Sequence, residues 1–568
     1  LIVIATHMHA GDGNVHINIP VLSNDRRMME RASFTADKIM EKAVQLNGVV
    51  TGEHGIGITK FKHLSLERRK EFTDYRKKID PDGLMNPEKL VDLDILEKVF
   101  TPSFNLLELE ARILKYGSLS KLSMNIANCV RCGKCKPQCP VFYPAQNMFF
   151  HPRNKNLSIG ALIEALLYIT QRTQSTGFEI LKNIEQIADQ CTICHRCFTK
   201  CPVNIDSGLV SIGLRNVLQT MGFKRASVPT NLTLKYLSTK SKVLNPVLRT
   251  SLLGIGGTLQ RTATRVFSPL IKTNGLKQNA LFQLIKSPVA KSDTGTLRTF
   301  LPDTHKNQSI VFEPEGSIHT TVFYFPGCGS ERIFSKISMA SIFLLLENHN
   351  RVILPPPYMC CGYPFLVNAK KKEYDRMVLE NIIILTQIRD MFRDLTFDAC
   401  IVSCGTCMES LDEINLLQIF DCPIQDISEY VLNQDRSMKI NQDYLYHTPC
   451  HDSLKETAMA LLESHLNGNA IQKIPYCCSE AGTMALSRPD IANALLERKH
   501  QALKNHTIKE GAVKILTNCP SCIQGLSRHQ GMKLKPIHLA QELALIKGGK
   551  NWEIKFKRIV CQNEVVTF

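Results

Sequence analysis

Apolar and polar positions alternate near the start of the chain: Val15, Ile17 and Ile19 interleave with His16 and Asn18. That period of two belongs to a strand and puts both polar residues on one face. The period then lengthens. Ala36, Ile39, Met40 and Ala43 fall on one side of a helix that Asn47-Gly48 stops, and a second, basic helix is predicted from about Leu66 to Ile79, ending at Asp80-Pro81-Asp82-Gly83. Residues 1–98 therefore read as alternating strand and helix. A further helical stretch is predicted over 159–170.

From 318 to 548 the pattern repeats itself. Strand-like Thr321–Phe325 leads to Pro326-Gly327-Cys328, and strand-like Tyr444–His447 leads to Pro449-Cys450. Each half then has a vicinal pair, Cys360-Cys361-Gly362 and Cys477-Cys478-Ser479. Each closes on a strand feeding a Cys-x-x-Cys, Cys404 to Cys407 and Cys519 to Cys522. Long helices (368–392 and 489–504) alternate with these strands, so each half is expected to be an α/β layered unit with its cysteines after strand ends. Cys400, Cys422 and Cys561 lie outside the repeat and are expected to be ordinary buried thiols.

Two further runs are Cys129-x2-Cys132-x2-Cys135-x3-Cys139-Pro140 and Cys191-x2-Cys194-x2-Cys197-x3-Cys201-Pro202. Three thiolates at this spacing wrap three corners of an iron–sulfur cube, and the fourth closes the other cube. The expected ligand sets are thus crossed: Cys129, Cys132, Cys135 and Cys201 for one [4Fe-4S] cluster, Cys191, Cys194, Cys197 and Cys139 for the other. Zinc would use paired rather than triple runs, and a disulfide framework belongs to small secreted chains. The chain is expected to move electrons singly. The helical insertion between Cys139 and Cys191 fits a helical two-cluster module resembling the iron–sulfur subunit of succinate dehydrogenase.

Composition changes the picture only locally. The 568 residues are 44% hydrophobic and 21% charged, ordinary for a globular protein of several domains, and the 21 cysteines suit metal centres in a reducing compartment. No apolar run is long enough to span a membrane. Of the net charge of +17, a net of +12 lies between Gly222 and Ile310, where fourteen Lys and Arg face only Asp293 and Asp303. This stretch reads as a basic connector or as a peripheral contact with anionic lipid. Leu248, Leu252, Leu253, Ile255 and Leu259 interleave there with Arg249, Arg261 and Arg265. Nucleic acid is not expected, since no binding motif accompanies the charge. The opening Leu1-Ile2-Val3-Ile4 reads as the inside of a strand, so an amino-terminally truncated chain is expected.

The amino-terminal piece carries its own chemistry. His9-Ala10-Gly11-Asp12-Gly13-Asn14-Val15-His16 brings two imidazoles together, and Gly52-Glu53-His54-Gly55-Ile56-Gly57 adds a carboxylate and a third. Two His and one Glu form a divalent-metal set with positions open for substrate. These motifs, with Asp80-Pro81-Asp82-Gly83-Leu84-Met85-Asn86-Pro87, resemble the carboxy-terminal half of the FAD-linked oxidases, which include D-lactate, D-2-hydroxyglutarate and glycolate enzymes. The resemblance implies that His9, His16 and Glu53 hold a metal, zinc or manganese. It further implies that Asn18 lines the substrate pocket, Asn86 meets the cofactor, and His54 takes the hydroxyl proton while the α-hydrogen passes to flavin. The FAD-binding half of that family is absent from these 568 residues.

The ten repeat cysteines resemble the cysteine-rich domains of heterodisulfide reductase, the glycolate oxidase iron–sulfur subunit and anaerobic glycerol-3-phosphate dehydrogenase, which implies additional iron–sulfur clusters. Ser479 stands where the resemblance expects glycine, so the second set is expected to be degenerate or to sit near the exit to the acceptor. The whole reads as a multi-domain α+β and α/β protein. It comprises a ferredoxin-like cap half of an FAD-linked oxidase (1–98) and a helical two-cluster ferredoxin module (99–222). A basic linker (223–317), two α/β cysteine-rich copies (318–440 and 441–548) and a tail (549–568) follow. The expected function is oxidation of D-lactate or a similar D-2-hydroxy acid through FAD. Electrons would pass over [4Fe-4S] clusters to a quinone or other respiratory acceptor, on the cytoplasmic face of the membrane. The alternatives are an electron-relay subunit of a glycolate or D-2-hydroxyglutarate dehydrogenase, and a thiol–disulfide enzyme.

Overall fold

The structure is a computed structural model that describes residues 2–21, 26–87, 89–94, 117–145, 150–173, 185–267, 280–504 and 513–568. The expected domain boundary at 98–99 and two cations of the basic stretch, Lys272 and Lys277, lie outside the described residues. The chain forms two compact units, one of residues 1–127 with 160–177, the other of residues 128–159 with 178–568.

In the first unit, β1 (Ala5–His9) and β2 (Asn14–Asn18) form an antiparallel hairpin in which His7 faces His16 and His9 faces Asn14. Helices cover Arg26–Gln45 and Leu66–Ile79. The second begins where it does because the Ser65 hydroxyl accepts from the Arg68 amide at 3.2 Å. Asp37 on the first helix binds Lys62 at 2.6 Å and His63 at 3.0 Å, tying the intervening loop down. Asp80 accepts the amides of Leu84 and Met85 (2.8 and 2.9 Å), which shapes the turn that carries Asn86.

The second unit holds β3 (Gln308–Phe312), β4 (Thr320–Phe325), β5 (Asn350–Leu354), β6 (Ala399–Val402), β7 (Ile424–Asp426), β8 (Tyr444–Tyr446), β9 (Ile471–Lys473), β10 (Val513–Thr517), β11 (Leu534–His538) and β12 (Asn563–Thr567). Strands such as Thr321-Val322-Phe323-Tyr324-Phe325 are apolar on both faces, as a parallel sheet covered by helices requires. The first copy runs β5-β4-β6-β7 in parallel and the second β9-β8-β10-β11, so the sequence repeat is also a repeat of strand order. In this order the chain reverses its winding between the first and third strands of each copy, the crevice where open α/β sheets place ligands.

Two expected boundaries move. Strand β3, from the expected linker, pairs antiparallel with β5, and β12, from the expected tail, pairs antiparallel with β3. The first sheet therefore has six strands, closed on one side by segments flanking the repeat in sequence. The basic stretch is folded rather than a connector: helices cover Val228–Ser238, Leu244–Arg249 and Gly257–Phe267, with a π-helical turn at Thr250–Gly256. One apolar core draws on both copies and on the tail, and Trp552, the only tryptophan of the chain, lies buried in it against Phe343.

Candidate functional site

The hairpin register builds the histidine cluster. Residues two apart on one strand and those facing them share a face, so His7, His9, His16 and Asn18 stand together. His7 stacks on His16 with ring centroids 4.5 Å apart, and His9 and His54 approach the His16 ring at 5.3 Å. Glu53 Oε1 lies 3.0 Å from both His16 Nε2 and His54 Nε2. Donor atoms of His9, His16 and Glu53 all fall within 4.8 Å of one another, a set that fits one divalent cation. Asn18 shares the cluster through a 3.3 Å contact between its Nδ2 and His7 Nδ1. Among the described residues Asn86 makes no contact with these imidazoles; its carbonyl accepts from Arg76 instead, at 3.0 Å. His7 was not expected. Its signal was the spacing of two from His9 on a strand, which becomes informative only once the register is known.

In the second unit, Cys129, Cys132, Cys135 and Cys201 line one small hollow with Pro202 and Ile205. This grouping is the crossed one. Cys139 is buried near Cys191 and Cys194, and burial pushes its thiol up. The two runs share a backbone device: the residues two and four after the first cysteine are left-handed in both, Arg131 and Gly133 in one, Ile193 and His195 in the other. Those kinks turn the loop around a centre, as four thiolates on one cube require.

The ten repeat cysteines converge. All but Cys360 line a common cavity of about 440 Å³, which also admits Cys191. Within each copy the thiols touch in order, Cys328 to Cys360 to Cys361 to Cys407 to Cys404, and Cys450 to Cys477 to Cys478 to Cys522 to Cys519. Cys450 and Cys477 stand 3.9 Å apart. Hydrogen bonds from Cys328 and Cys361 hold the Cys360 thiol well below its usual range, and those from Cys450 and Cys478 do the same for Cys477. Each copy thus holds a thiol biased toward the thiolate that binds metal.

Two contacts join the sets. Cys404 of the first copy meets Cys519 of the second, and Cys450 of the second meets Cys194 of the ferredoxin run. The second copy thus touches both the ferredoxin run and the first copy, but the first copy also reaches that run, its Tyr363 hydroxyl lying 3.3 Å from the Ile193 carbonyl, so these contacts do not single out either copy as the exit. Nor does Ser479 reshape the loop: it takes a φ of +77° where Gly362 has +90°. The serine adopts the left-handed conformation and bears its strain, with its buried hydroxyl unpartnered among the described residues.

The remaining cysteines divide. Cys400 and Cys422 are buried with their sulfurs 3.5 Å apart, as ordinary core thiols, but Cys561 is exposed at the end of the last helix. The basic stretch also differs from expectation. Leu248, Leu252 and Leu253 pack inward with Leu234 and Tyr236 over Cys360 and Cys328, while Ile255 and Leu259 face outward. Arg249 is spent on the carbonyls of Arg332 and Asp293. No described helix is long and apolar enough to cross a membrane.

Comparison with known proteins agrees with this domain content. Residues 2–90 match the C-terminal domain of FAD linked oxidases, 125–205 the 4Fe-4S dicluster domain, and 322–412 and 444–527 the cysteine-rich domain. The chain thus joins the C-terminal domain of the FAD-linked oxidases to an iron–sulfur relay of oxidoreductase type, with a duplicated cysteine-rich domain. Among individual relatives, the probable glycolate oxidase iron-sulfur subunit of Bacillus subtilis is 22% identical over 75% of this chain and 95% of its own length. The glycolate oxidase subunit GlcD of the same organism is 37% identical over 17% of this chain, which spans only 21% of GlcD. The mitochondrial D-lactate dehydrogenase (cytochrome) 1 of Saccharomyces cerevisiae is 37% identical over 15% of each chain.

Proposed function

We propose that the chain supplies the substrate cap and the electron relay of a flavin-dependent dehydrogenase of D-2-hydroxy acids, D-lactate foremost, with a quinone or similar respiratory carrier as acceptor. The observation that carries the reading is the row of thiols from Cys194 through Cys450 to Cys519, Cys404 and Cys328, which gives single electrons a continuous path. A bound flavin supplies the two-electron acceptor for the α-hydrogen, and the clusters supply one-electron carriers.

The chain's own residues do the rest. His9, His16 and Glu53 would hold a divalent ion, zinc or manganese, which would supply Lewis-acid polarisation of the hydroxy acid. Asn18 binds the substrate beside them. His54 donates its Nε2–H to Glu53 Oε1 at 3.0 Å, which leaves Nδ1 as the nitrogen that accepts the hydroxyl proton. Cys129, Cys132, Cys135 and Cys201 hold one cubane, and Cys191, Cys194, Cys197 and Cys139 the other. The first cysteine copy hands electrons out beneath the basic segment. There Val243, Leu244, Val247, Ile255 and Leu259 are exposed near Lys235, Arg261 and Arg265, which make no ion pair among the described residues, a face suited to peripheral contact with anionic lipid.

Likeness to a glycolate oxidase subunit over most of the chain favours a second reading, in which the acid is glycolate. The test supplies the flavin-binding half, in the same polypeptide or in trans. Quinone-analogue reduction is then followed with D-lactate, glycolate and D-2-hydroxyglutarate. D-lactate is expected to give the highest kcat/KM; glycolate in first place selects the second reading, and no turnover with any of the three overturns both.

A further inference from the structure

Behind the second cysteine copy lies a buried pair that the relay does not use. Lys499, on the helix Pro489–Lys504, is fully buried. Its Nζ stands 2.6 Å from the Pro475 carbonyl, 3.1 Å from that of Tyr476 and 3.1 Å from His447 Nδ1, with the Ile474 carbonyl farther off at 3.4 Å. Carbonyl oxygens only accept. The ammonium therefore gives two N–H groups to the nearer carbonyls and the third to Nδ1. An imidazole that accepts at Nδ1 carries its proton on Nε2.

His447 is 1% exposed, and its Nε2 has no partner among the described residues. A ring nitrogen of His447 lies with the sulfurs of Cys478 and Cys522 inside a 4.8 Å cluster, and Nδ1 is the one that Lys499 engages. A buried donor aimed at a thiol set lacks only the acceptor that the set's bound group would bring. The copy already offers five thiols, so iron does not require a nitrogen ligand as well.

The first copy lacks the device. Three residues before Cys328, where His447 precedes Cys450, it has Phe325. Its vicinal loop is clamped by neutral Asn381, which donates to the Cys360 carbonyl at 2.9 Å, and by Arg332, which donates to the carbonyls of Tyr236, Thr239 and Tyr358. No imidazole takes that place among the described residues.

We propose that His447 Nε2–H, held in that tautomer by Lys499, donates a hydrogen bond to a sulfur of the iron–sulfur group in the second cysteine copy and raises its reduction potential. This rests on the reading that the second copy holds such a group. One-electron reduction by the neighbouring cubane adds negative charge to the sulfurs, and a fixed donor favours that reduced form. His447 is thus a positioning residue whose partner Lys499 sets its proton.

The experiment uses the anaerobic, cluster-loaded chain, with iron analysis and redox titration followed by electron paramagnetic resonance. The signal that Cys478→Ser removes is the one to follow. His447→Phe, which copies the first site, is expected to keep its iron and lower the reduced fraction at a fixed potential about tenfold, or 59 mV for one electron. His447→Gln, which keeps an N–H, should stay near wild type, and Lys499→Met should shift in the same direction as His447→Phe. Should His447→Phe fail to fold, Lys499→Met decides. An unmoved potential overturns the proposal alone. Loss of iron from this site in both His447 variants makes Nε2 a ligand and overturns it too. If Cys478→Ser removes no iron, the second copy holds no such group, and the underlying reading falls with the proposal.

Discussion

Gly405 offers a direct test of how the two cysteine copies meet. It follows Cys404, opens the helix Gly405–Glu413, and faces the backbone of the second copy. A Cβ there would lie 2.1 Å from the His451 carbonyl oxygen and 2.9 Å from the Ser453 amide, and neither atom belongs to a side chain that can swing away. Ordinary contact begins at 3.4 Å, so Gly405→Ala must drive the backbones apart by about 1 Å. Overpacking of this kind costs about 1–3 kcal/mol. Trp552, buried in the core shared by both copies, reports the transition alone, because the chain has no other tryptophan. Anaerobic urea denaturation followed by its fluorescence should show a clearly lower midpoint for Gly405→Ala. Gly254→Ala is the control: its Cβ would meet only a Thr250 methyl at 3.8 Å, and its midpoint should hold. A Gly405→Ala midpoint equal to wild type would refute the packing of Cys404 against the second copy.

Other perturbations follow from single residues. Ser479→Gly relieves a left-handed serine and removes an unpartnered buried hydroxyl; after the added entropy of a glycine in the unfolded chain, a net gain of about 0.5–1 kcal/mol is expected in the same denaturation assay. Glu331→Gln breaks a buried pair with Arg298 (2.6 Å) and leaves the cation uncompensated. It should cost about 3–5 kcal/mol and loosen the first copy, since Glu331 also accepts the Tyr358 amide at 3.0 Å beside Cys360. Burial lowers the His529 pKa to about 3. The unfolded chain then binds the extra proton, so stability is intact above pH 6.5 and declines by about 1.4 kcal/mol per unit as pH falls toward 3. His529→Phe should flatten that decline, as pH-dependent denaturation midpoints would show.

Features whose partners are near in sequence were readable from it. Both ferredoxin runs and the Gly52–Gly57 motif carry their chemistry in a few consecutive residues, and the repeat announced itself because cysteines recur in register. What depended on long-range pairing was not readable. His7 joins the histidine cluster only because the β1–β2 register sets it opposite His16. The run Gln308–Phe312 is strand-like but lies in a stretch dominated by charge, and its role emerges only when it pairs with β5. The Asn563–Thr567 strand depends in turn on that one. The contacts Cys404–Cys519 and Cys450–Cys194, which order the relay, join residues separated by more than a hundred positions. Ser479 misled for a different reason: a serine can bear positive φ where the surrounding loop enforces it.

The central claim is that a hydroxy acid's electrons travel through these cysteines. The direct measurement mixes D-lactate anaerobically with the flavin-loaded enzyme and freezes samples over time for electron paramagnetic resonance. Cubane signals are expected first, then signals that Cys478→Ser and Cys361→Ser each remove, followed by reduction of a quinone analogue. Flavin that is reduced while every iron centre stays oxidised would contradict it.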